Sequence, residues 1–381
     1  MDQDLQGYRQ KIDGIDEELV RLFRERMEVC ADIAQWKAKN GQPVYDARRE
    51  RSLLSRVADL AGEEMDEYVR VLYTTIMDLS KAYQKRRTHP GELYGQLRTA
   101  LENTPQLFPQ RAMVACQGVE GAYSQLAAEK FFRLPNIMYC NTFESVFAAI
   151  EAGLCRYGVL PVENSTAGSV NKVYDLMVAH KFHIVRSLRL KVDHNLLAKP
   201  GVRLEDVREV YSHQQAISQC QGFLSRHPNI HVNVCENTAA AAKLVAESDR
   251  TDIAALSSRA CAEQYDLSCL AASVQDTGNN YTRFICISKN MEVYPGADRT
   301  SIMIVVPHKP GTLYSVLSRF YALGINLTKL ESRPIPDRDF EFMFYFDIDA
   351  SVYAPQLSQV LADLEAQYPE FRYLGSYSEI M

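Results

Sequence analysis

Two groups of polar residues stand out by type and spacing. Arg26 and Lys37 lie eleven residues apart in a stretch without proline, which on a helix returns them to within about 20° of one face. Further on, Asp46, Arg49 and Glu50 share a face at i, i+3 and i+4, and Ser80 and Gln84 do so at i and i+4. A set so rich in guanidinium and ammonium groups suits a small polyanion, because arginine forks pair bidentately with carboxylates. The second group is NNYTRF, residues 279–284, which carries two amides, a hydroxyl and a guanidinium but no carboxylate, thiol or imidazole. With the small polar run VENSTAGS at 162–169 it offers hydrogen bonds rather than a strong acid or base. Such groups can orient a substrate and stabilise a departing oxygen. Taken singly, each pattern reads equally well as a solvated charged face or a turn.

Three periodicities indicate what must position these residues. From Leu5 to about Lys39, Ile12, Ile15, Leu19, Leu22, Val29, Ile33 and Trp36 recur at helical spacing. They predict one rod of roughly 50 Å, whose apolar stripe needs a partner. NGQPVYD breaks it, and helices follow at about 46–61 and 65–87, with no strand pattern in residues 1–88. Residues 89–110, with three prolines and two glycines, read as a linker carrying one short helix. In residues 111–290 short strands such as MVACQG, YGVLPV and TRFICIS alternate with helical stretches. This predicts an α/β domain with a largely parallel sheet and ligands at strand C-terminal ends. Residues 298–381 give the order βαββαβ, a ferredoxin-like α+β module.

Composition narrows the function. In 381 residues, 46% hydrophobic and 24% charged content is that of a globular protein, and a net charge of −6 argues against nucleic acid as a partner. No apolar run reaches the ~18 residues of a membrane span, and MDQDLQGYRQ lacks the basic and apolar regions of a signal peptide. A cytoplasmic location is expected. The nine cysteines have no C-x-x-C spacing and read as reduced. His180 and His183 have the spacing of two metal ligands but no third ligand nearby, so no metal is expected. GVEGAYS lacks both the Lys-Ser/Thr ending of a P-loop and the spacing of a dinucleotide fold, so no cofactor is implied. His213, in YSHQQ, has no identifiable nucleophile or orienting acid beside it and is not read as a general base.

The helical set as a whole, R-x-x-I-x-x-I-D at Arg9 to Asp16, then Arg26, Lys37, Asp46, Arg49, Glu50, Ser80 and Gln84, resembles the all-α chorismate mutases over residues 5–87. The resemblance implies that Arg9 and Arg26 hold the carboxylates of chorismate and that Lys37 and Gln84 donate to its ether oxygen. Arg49 and Ser80 would position the substrate, with Asp46 and Glu50 on the ring hydroxyl. Arg9 lies seventeen residues before Arg26, or ~25 Å along a straight helix, too far for both to grip one small molecule. If both act, Arg9 comes from a second chain, and a homodimer with shared sites is expected.

Residues 111–290 resemble prephenate dehydratases through GVEGAYSQLAA (118–128), VLPVENSTAGSV (159–170), YSHQQAISQC (211–220) and NNYTRF. That family has a two-lobed α/β domain like type II periplasmic binding proteins, with its site in the cleft. The resemblance implies Thr282 as the hydroxyl that assists departure of the ring oxygen of prephenate. Glu163, Asn164, Ser165, Thr166 and Gln219 would arrange the substrate, with Arg283 pairing with a carboxylate or bracing the cleft. Gln214 stands where the family commonly has proline. Residues 299–381 resemble ACT domains, and PGTLYSVL (310–317) with LESRP (330–334) imply a phenylalanine site at Gly311, Thr312, Leu313, Glu331, Ser332 and Arg333. Thr312 replaces the family's alanine. Together the resemblances imply an enzyme that makes prephenate from chorismate, then phenylpyruvate, under inhibition by phenylalanine.

Overall fold

The computed structural model describes residues 2–88, 91–335, 338 and 341–380. His89 and Pro90, which open the expected linker, and Phe340, which opens the expected strand FEFMFYFDIDA, lie outside them. The chain forms two compact units. Unit 1 comprises residues up to Arg98 together with Ile302–Tyr373, and unit 2 comprises Thr99–Ser301 with the residues from Leu374 onward.

Unit 1 begins with α1 (Asp2–Lys39), α2 (Ala47–Ala61) and α3 (Asp66–Thr88), followed by the start of α4 (Leu93–Asn103). Nothing interrupts α1 until the turn at Gly41, whose φ of 63° favours glycine. Asp46 then caps α2, its carboxylate accepting from the Arg49 N–H at 3.0 Å. Both α1 and α2 pack on α3 through small and medium side chains, among them Cys30, Ala34, Val57, Ala58, Met77 and Ala82. By contrast Leu5, Tyr8, Ile12, Ile15, Leu19 and Leu22 along α1 are each 47–59% exposed.

Unit 2 contains two sheets. Its elements are β1 (Arg111–Gln117), α5 (Tyr123–Phe131), β2 (Leu134–Cys140), α6 (Phe143–Glu151), β3 (Tyr157–Asn164), β4 (Gly168–Ser169), α7 (Asn171–His180) and β5 (His183–Lys191). The second lobe follows with β6 (Asn195–Ala198), β7 (Glu209–His213), α8 (Gln214–Ser218), α9 (Gln221–Ser225), β8 (His231–Cys235), α10 (Thr238–Glu247), β9 (Ile253–Ser257), α11 (Arg259–Gln264) and β10 (Ser268–Ala271). The chain then returns to the first lobe as β11 (Tyr281–Ser288), which lies between β5 and β3 in the order β5-β11-β3-β1-β2. The second sheet has the order β10-β6-β9-β7-β8. The two crossings between lobes are tied together, with Val192 N–H donating to Asn280 O and Val274 N–H to His194 O, each at 2.8 Å.

The expectation of a largely parallel sheet needs correction. β1 is parallel to β2 and β3, but β11 runs antiparallel to both its neighbours, as does β6. The reason is topological: β11 re-enters the first sheet from the second lobe, at the end where β3 finishes. Its first residues therefore lie beside the C-terminal end of β3, with Thr282 opposite Asn164 and Arg283 opposite Glu163.

The remaining elements are β12 (Arg299–Val306), α12 (Thr312–Ala322), β13 (Asn326–Pro334), β14 (Phe342–Asp349), α13 (Pro355–Gln367) and β15 (Phe371–Ile380). Their strand order is β13-β14-β12-β15, the ferredoxin-like arrangement. Within unit 1, α13 packs on α3, where Arg86 pairs with Asp363 at 3.4 Å and Lys85 donates to Gln367 O at 2.9 Å. The end of β15, from Leu374, belongs to unit 2, where Ser378, Glu379 and Ile380 pair in parallel with Arg186, Ser187 and Leu188 of β5.

Gly375 makes that approach possible. Its φ is +140°, and a Cβ there would overlap the Ile184 carbonyl oxygen and lie 2.8 Å from the Ile184 nitrogen. Gly375→Ala is therefore expected to destabilise unit 2 by at least about 1–3 kcal/mol, read as a lowered urea midpoint. An unchanged midpoint would show that the backbone yields there at no cost.

Candidate active sites

The first site is a cavity of about 480 Å³ within unit 1. It is lined by Arg26 and Lys37 from α1, by Asp46, Arg49 and Glu50 at the start of α2, and by Ser80 and Gln84 from α3. One Arg26 Nη donates to Ser80 Oγ, and Lys37 Nζ donates to Val44 O at 2.8 Å. The hydrogen bond from the Arg49 N–H holds the Asp46 carboxyl below its usual range. Gln84 is buried, and its Oε1 has no hydrogen-bond partner among the described residues. Arg9 is not part of this wall; it sits exposed in the N-terminal half of α1. Sequence reading passed over Lys81, which also lines the cavity and places Nζ 3.1 Å from Glu50 Oε1. Its local signals are adjacency to Ser80 and the i, i+3 spacing from Asp78.

In unit 2 the register of β11 against β3 assembles a hydrogen-bond network. Asn164 Nδ2 donates to Thr282 Oγ1 at 2.9 Å and to Asn280 Oδ1 at 2.8 Å. Asn164 Oδ1 accepts from the Thr166 hydroxyl at 2.7 Å and from the backbone N–H groups of Thr166 and Ala167. Gln219 closes the network from the second lobe, its Nε2 donating to Thr166 Oγ1 at 2.6 Å. Gln219 Oε1 accepts from Asn280 Nδ2 at 2.9 Å and lies 2.9 Å from His194 Nε2. Because that oxygen can only accept, Nε2 of His194 carries the proton. Burial pushes the His194 pKa below the ordinary 6.5, which favours the neutral ring. Ser165 Oγ donates to Asn279 O and accepts from the Tyr281 N–H, each at 3.0 Å, pinning the two segments together.

Arg283, the next residue of β11, faces inward instead. It is 9% exposed, donates to Tyr377 Oη at 2.5 Å, and lies 3.7 Å from Glu379 and 3.8 Å from Glu163. Of its two expected roles, these protein partners favour bracing. Asn280 and His194 are members of the network that sequence reading did not assign. The first was within the quoted motif, and the second carries no local pattern at all. His213 caps α8, accepting from the Gln215 N–H at 3.3 Å. Gln214 is thus the first residue of α8, a position that also tolerates proline.

In the C-terminal module Gly311, at φ 81°, precedes α12, which has no side-chain cap. Gly311 and Thr312 line a second cavity of about 800 Å³ within unit 1, which Glu50 and Lys81 also reach. Leu313 follows them in α12, whereas Glu331, Ser332 and Arg333 lie on β13 and line neither cavity. Glu331 pairs with Lys329 at 3.1 Å. The structure therefore brings the expected chorismate residues other than Arg9 together, and Asn164, Ser165, Thr166, Gln219 and Thr282 of the expected prephenate residues, while Glu163 and Arg283 pair beside that network and the expected effector residues fall into two groups. Among the described residues no helix is long and apolar enough to cross a membrane.

Comparison with known proteins matches three segments of the chain. Residues 8–85 match the family "Chorismate mutase type II", residues 114–292 match "Prephenate dehydratase", and residues 300–366 match "ACT domain". A bifunctional chorismate mutase/prephenate dehydratase of Aquifex aeolicus (strain VF5) is 31% identical over 381 residues, 100% of this chain and 99% of the relative. The solved structure of a prephenate dehydratase from Arthrobacter aurescens, in complex with L-Phe, is 28% identical with a TM-score of 0.64 and covers 70% of this chain and 89% of that one. A structure described as GqqA, a novel type of quorum-quenching acylase, is 31% identical with a TM-score of 0.63 and covers 70% of this chain and 98% of that one; the named activity is that protein's own. With a relative 31% identical along essentially the whole of both chains, this chain belongs to the family of bifunctional chorismate mutase/prephenate dehydratases.

Proposed function

We propose that the cavity of unit 1 is the chorismate site and that the Thr282 network of unit 2 is the prephenate site. The observation that carries this reading is that residues far apart in sequence, singled out by their spacing and by the family resemblances, converge on these two places. Residues 1–88, 111–290 and 298–381 then act as the mutase, dehydratase and regulatory domains, with 89–110 as linker.

The mutase reaction is an intramolecular shift that needs no nucleophile. Arg26, with Arg9, holds the two carboxylates; Lys37 and Gln84 stabilise charge on the ether oxygen; Arg49 and Ser80 position the ring, and Asp46 and Glu50 accept its hydroxyl. Arg9 is supplied by a second copy of the chain. The exposed apolar residues along α1 support such a homodimer, since pairing of two rods covers them.

In the dehydratase reaction, loss of hydroxide and carbon dioxide is driven by aromatisation. Asn164 donates to Thr282 Oγ1, which leaves the threonine proton free for the departing hydroxyl. Thr166 and Gln219 orient the substrate together with Ser165 and Glu163, while Arg283 braces the strand. The product is phenylpyruvate, and phenylalanine inhibits by binding at the C-terminal module, at Gly311–Leu313 and Glu331–Arg333. Nine free thiols suit a reducing, cytoplasmic compartment.

Thr282→Ala is expected to lower dehydratase kcat by about 10²–10³, the effect of removing one such donor, while mutase turnover of the same sample stays intact. Full dehydratase activity in this variant would remove Thr282 from the mechanism. Mixing Arg9→Ala with Arg26→Ala chains under subunit exchange should restore one mutase site per mixed dimer. No recovery of chorismate turnover would mean that Arg9 is not shared.

His194 adds a pH dependence. Its folded pKa is held below 6.5, so below that pH the unfolded chain binds a proton that the folded chain resists. The stability is present above about pH 6.5 and is lost as pH falls. His194→Gln should flatten the fall in Tm between about pH 7 and 5, leaving the contribution of His213, whose pKa burial also lowers. An equally steep fall in the variant would exclude this account.

A further inference from the structure

Lys81 has no counterpart among the residues assigned above, yet its ammonium group at the mutase cavity is held by two carboxylates. Its Nζ lies 3.1 Å from Glu50 Oε1 and 3.4 Å from Glu50 Oε2, so the ammonium straddles the carboxylate. The same Nζ is 2.9 Å from Asp78 Oδ1 and 5.6 Å from the centre of the Tyr45 ring. With its side chain only 23% exposed, it is held from α2, from α3 and from the turn before α2. Contacts on several sides fix an ammonium group far better than one surface pair does.

The placement follows from the helix. Ser80 and Gln84 face the cavity one turn apart on α3, and Lys81 is rotated about 100° from Ser80, towards the first turn of α2. Glu50 sits in that turn, at the positive end of the helix dipole. Its carboxylate is thus held on one side by Lys81 while the residue still lines the cavity.

We propose that Lys81 is a positioning residue of the mutase reaction, which fixes the Glu50 carboxylate so that it accepts the ring hydroxyl of chorismate in one orientation. The inference rests on reading the cavity as the chorismate site. Lys81 acts through Glu50 and touches no reacting atom, so its loss leaves the arginine grip on the substrate in place.

The test uses the full-length enzyme, with chorismate turnover and phenylpyruvate formation followed in each sample. Lys81→Met is expected to lower mutase kcat about tenfold and to change KM less than threefold, with dehydratase activity and Tm unchanged. Lys81→Arg should stay within threefold of wild type. In a Glu50→Gln background, where the carboxylate is already gone, Lys81→Met should add less than twofold. The proposal is overturned if Lys81→Met stays within twofold of wild type. It is equally overturned if the full loss recurs in the Glu50→Gln background, or if the loss accompanies a fallen Tm and is not rescued by arginine. Arg26→Ala, assayed in parallel, separates the two levels: if it keeps full activity, the reading of the cavity itself falls.

Discussion

The antiparallel register of β11 against β3 is the constraint on which the Thr282 network, the proposed dehydratase site, depends. In an extended strand successive side chains face opposite ways, so placing Thr282 opposite Asn164 also places Arg283 opposite Glu163. One residue enters the polar network and the next enters the interior. There Arg283 meets Tyr377, Glu379 and Glu163, and Glu379 is also approached by Arg189 at 3.3 Å and Arg299 at 3.6 Å. Removing one member of a buried ionic group costs about 3–5 kcal/mol, because the charge left behind has lost its compensation. A slip by one residue would exchange the two faces of the strand. It would bury the hydroxyl and expose the guanidinium.

The two sites use opposite means for a common end. The proposed mutase cavity is dense with fixed charge, whereas the Thr282 network consists of amides and hydroxyls with His194 behind them. The mutase must hold a flexible dianion in a folded shape, which calls for paired cations. The dehydratase works on a substrate whose ring is poised to become aromatic, and a placed hydrogen bond then does more than a strong acid. Amides that donate and accept simultaneously can hold a hydroxyl in one orientation without competing for its proton.

Much of this was legible in the sequence because it is carried by local spacing. Heptad-like apolar residues gave α1, and offsets of three, four and eleven residues gave the faces that meet in the mutase cavity. Strands β2, β6 and β8 are marked less plainly. β2 (LPNIMYC) contains a proline and β8 (HVNVC) is largely exposed, and both lie at sheet edges. β6 has only four residues, all buried, so no alternation develops. The direction of β11 was invisible because it depends on where the chain returns after an excursion through another lobe. Lys81 and His194 were missed for a related reason: their partners, Glu50 and Gln219, lie 31 and 25 residues away.

The final strand bears on how such a chain can be recombined. Although β15 completes the βαββαβ order, its end, from Leu374, belongs to unit 2, where Tyr377 and Glu379 hold Arg283. The boundary proposed for the regulatory module from sequence and its mechanical boundary are therefore different. A gene fusion that replaced everything after residue 298 would also exchange the brace beneath NNYTRF, and could succeed only if the incoming segment supplied a glycine, a tyrosine and a carboxylate at the same spacing. Sensor and lyase are thus inherited together, through a few residues at the extreme end of the chain.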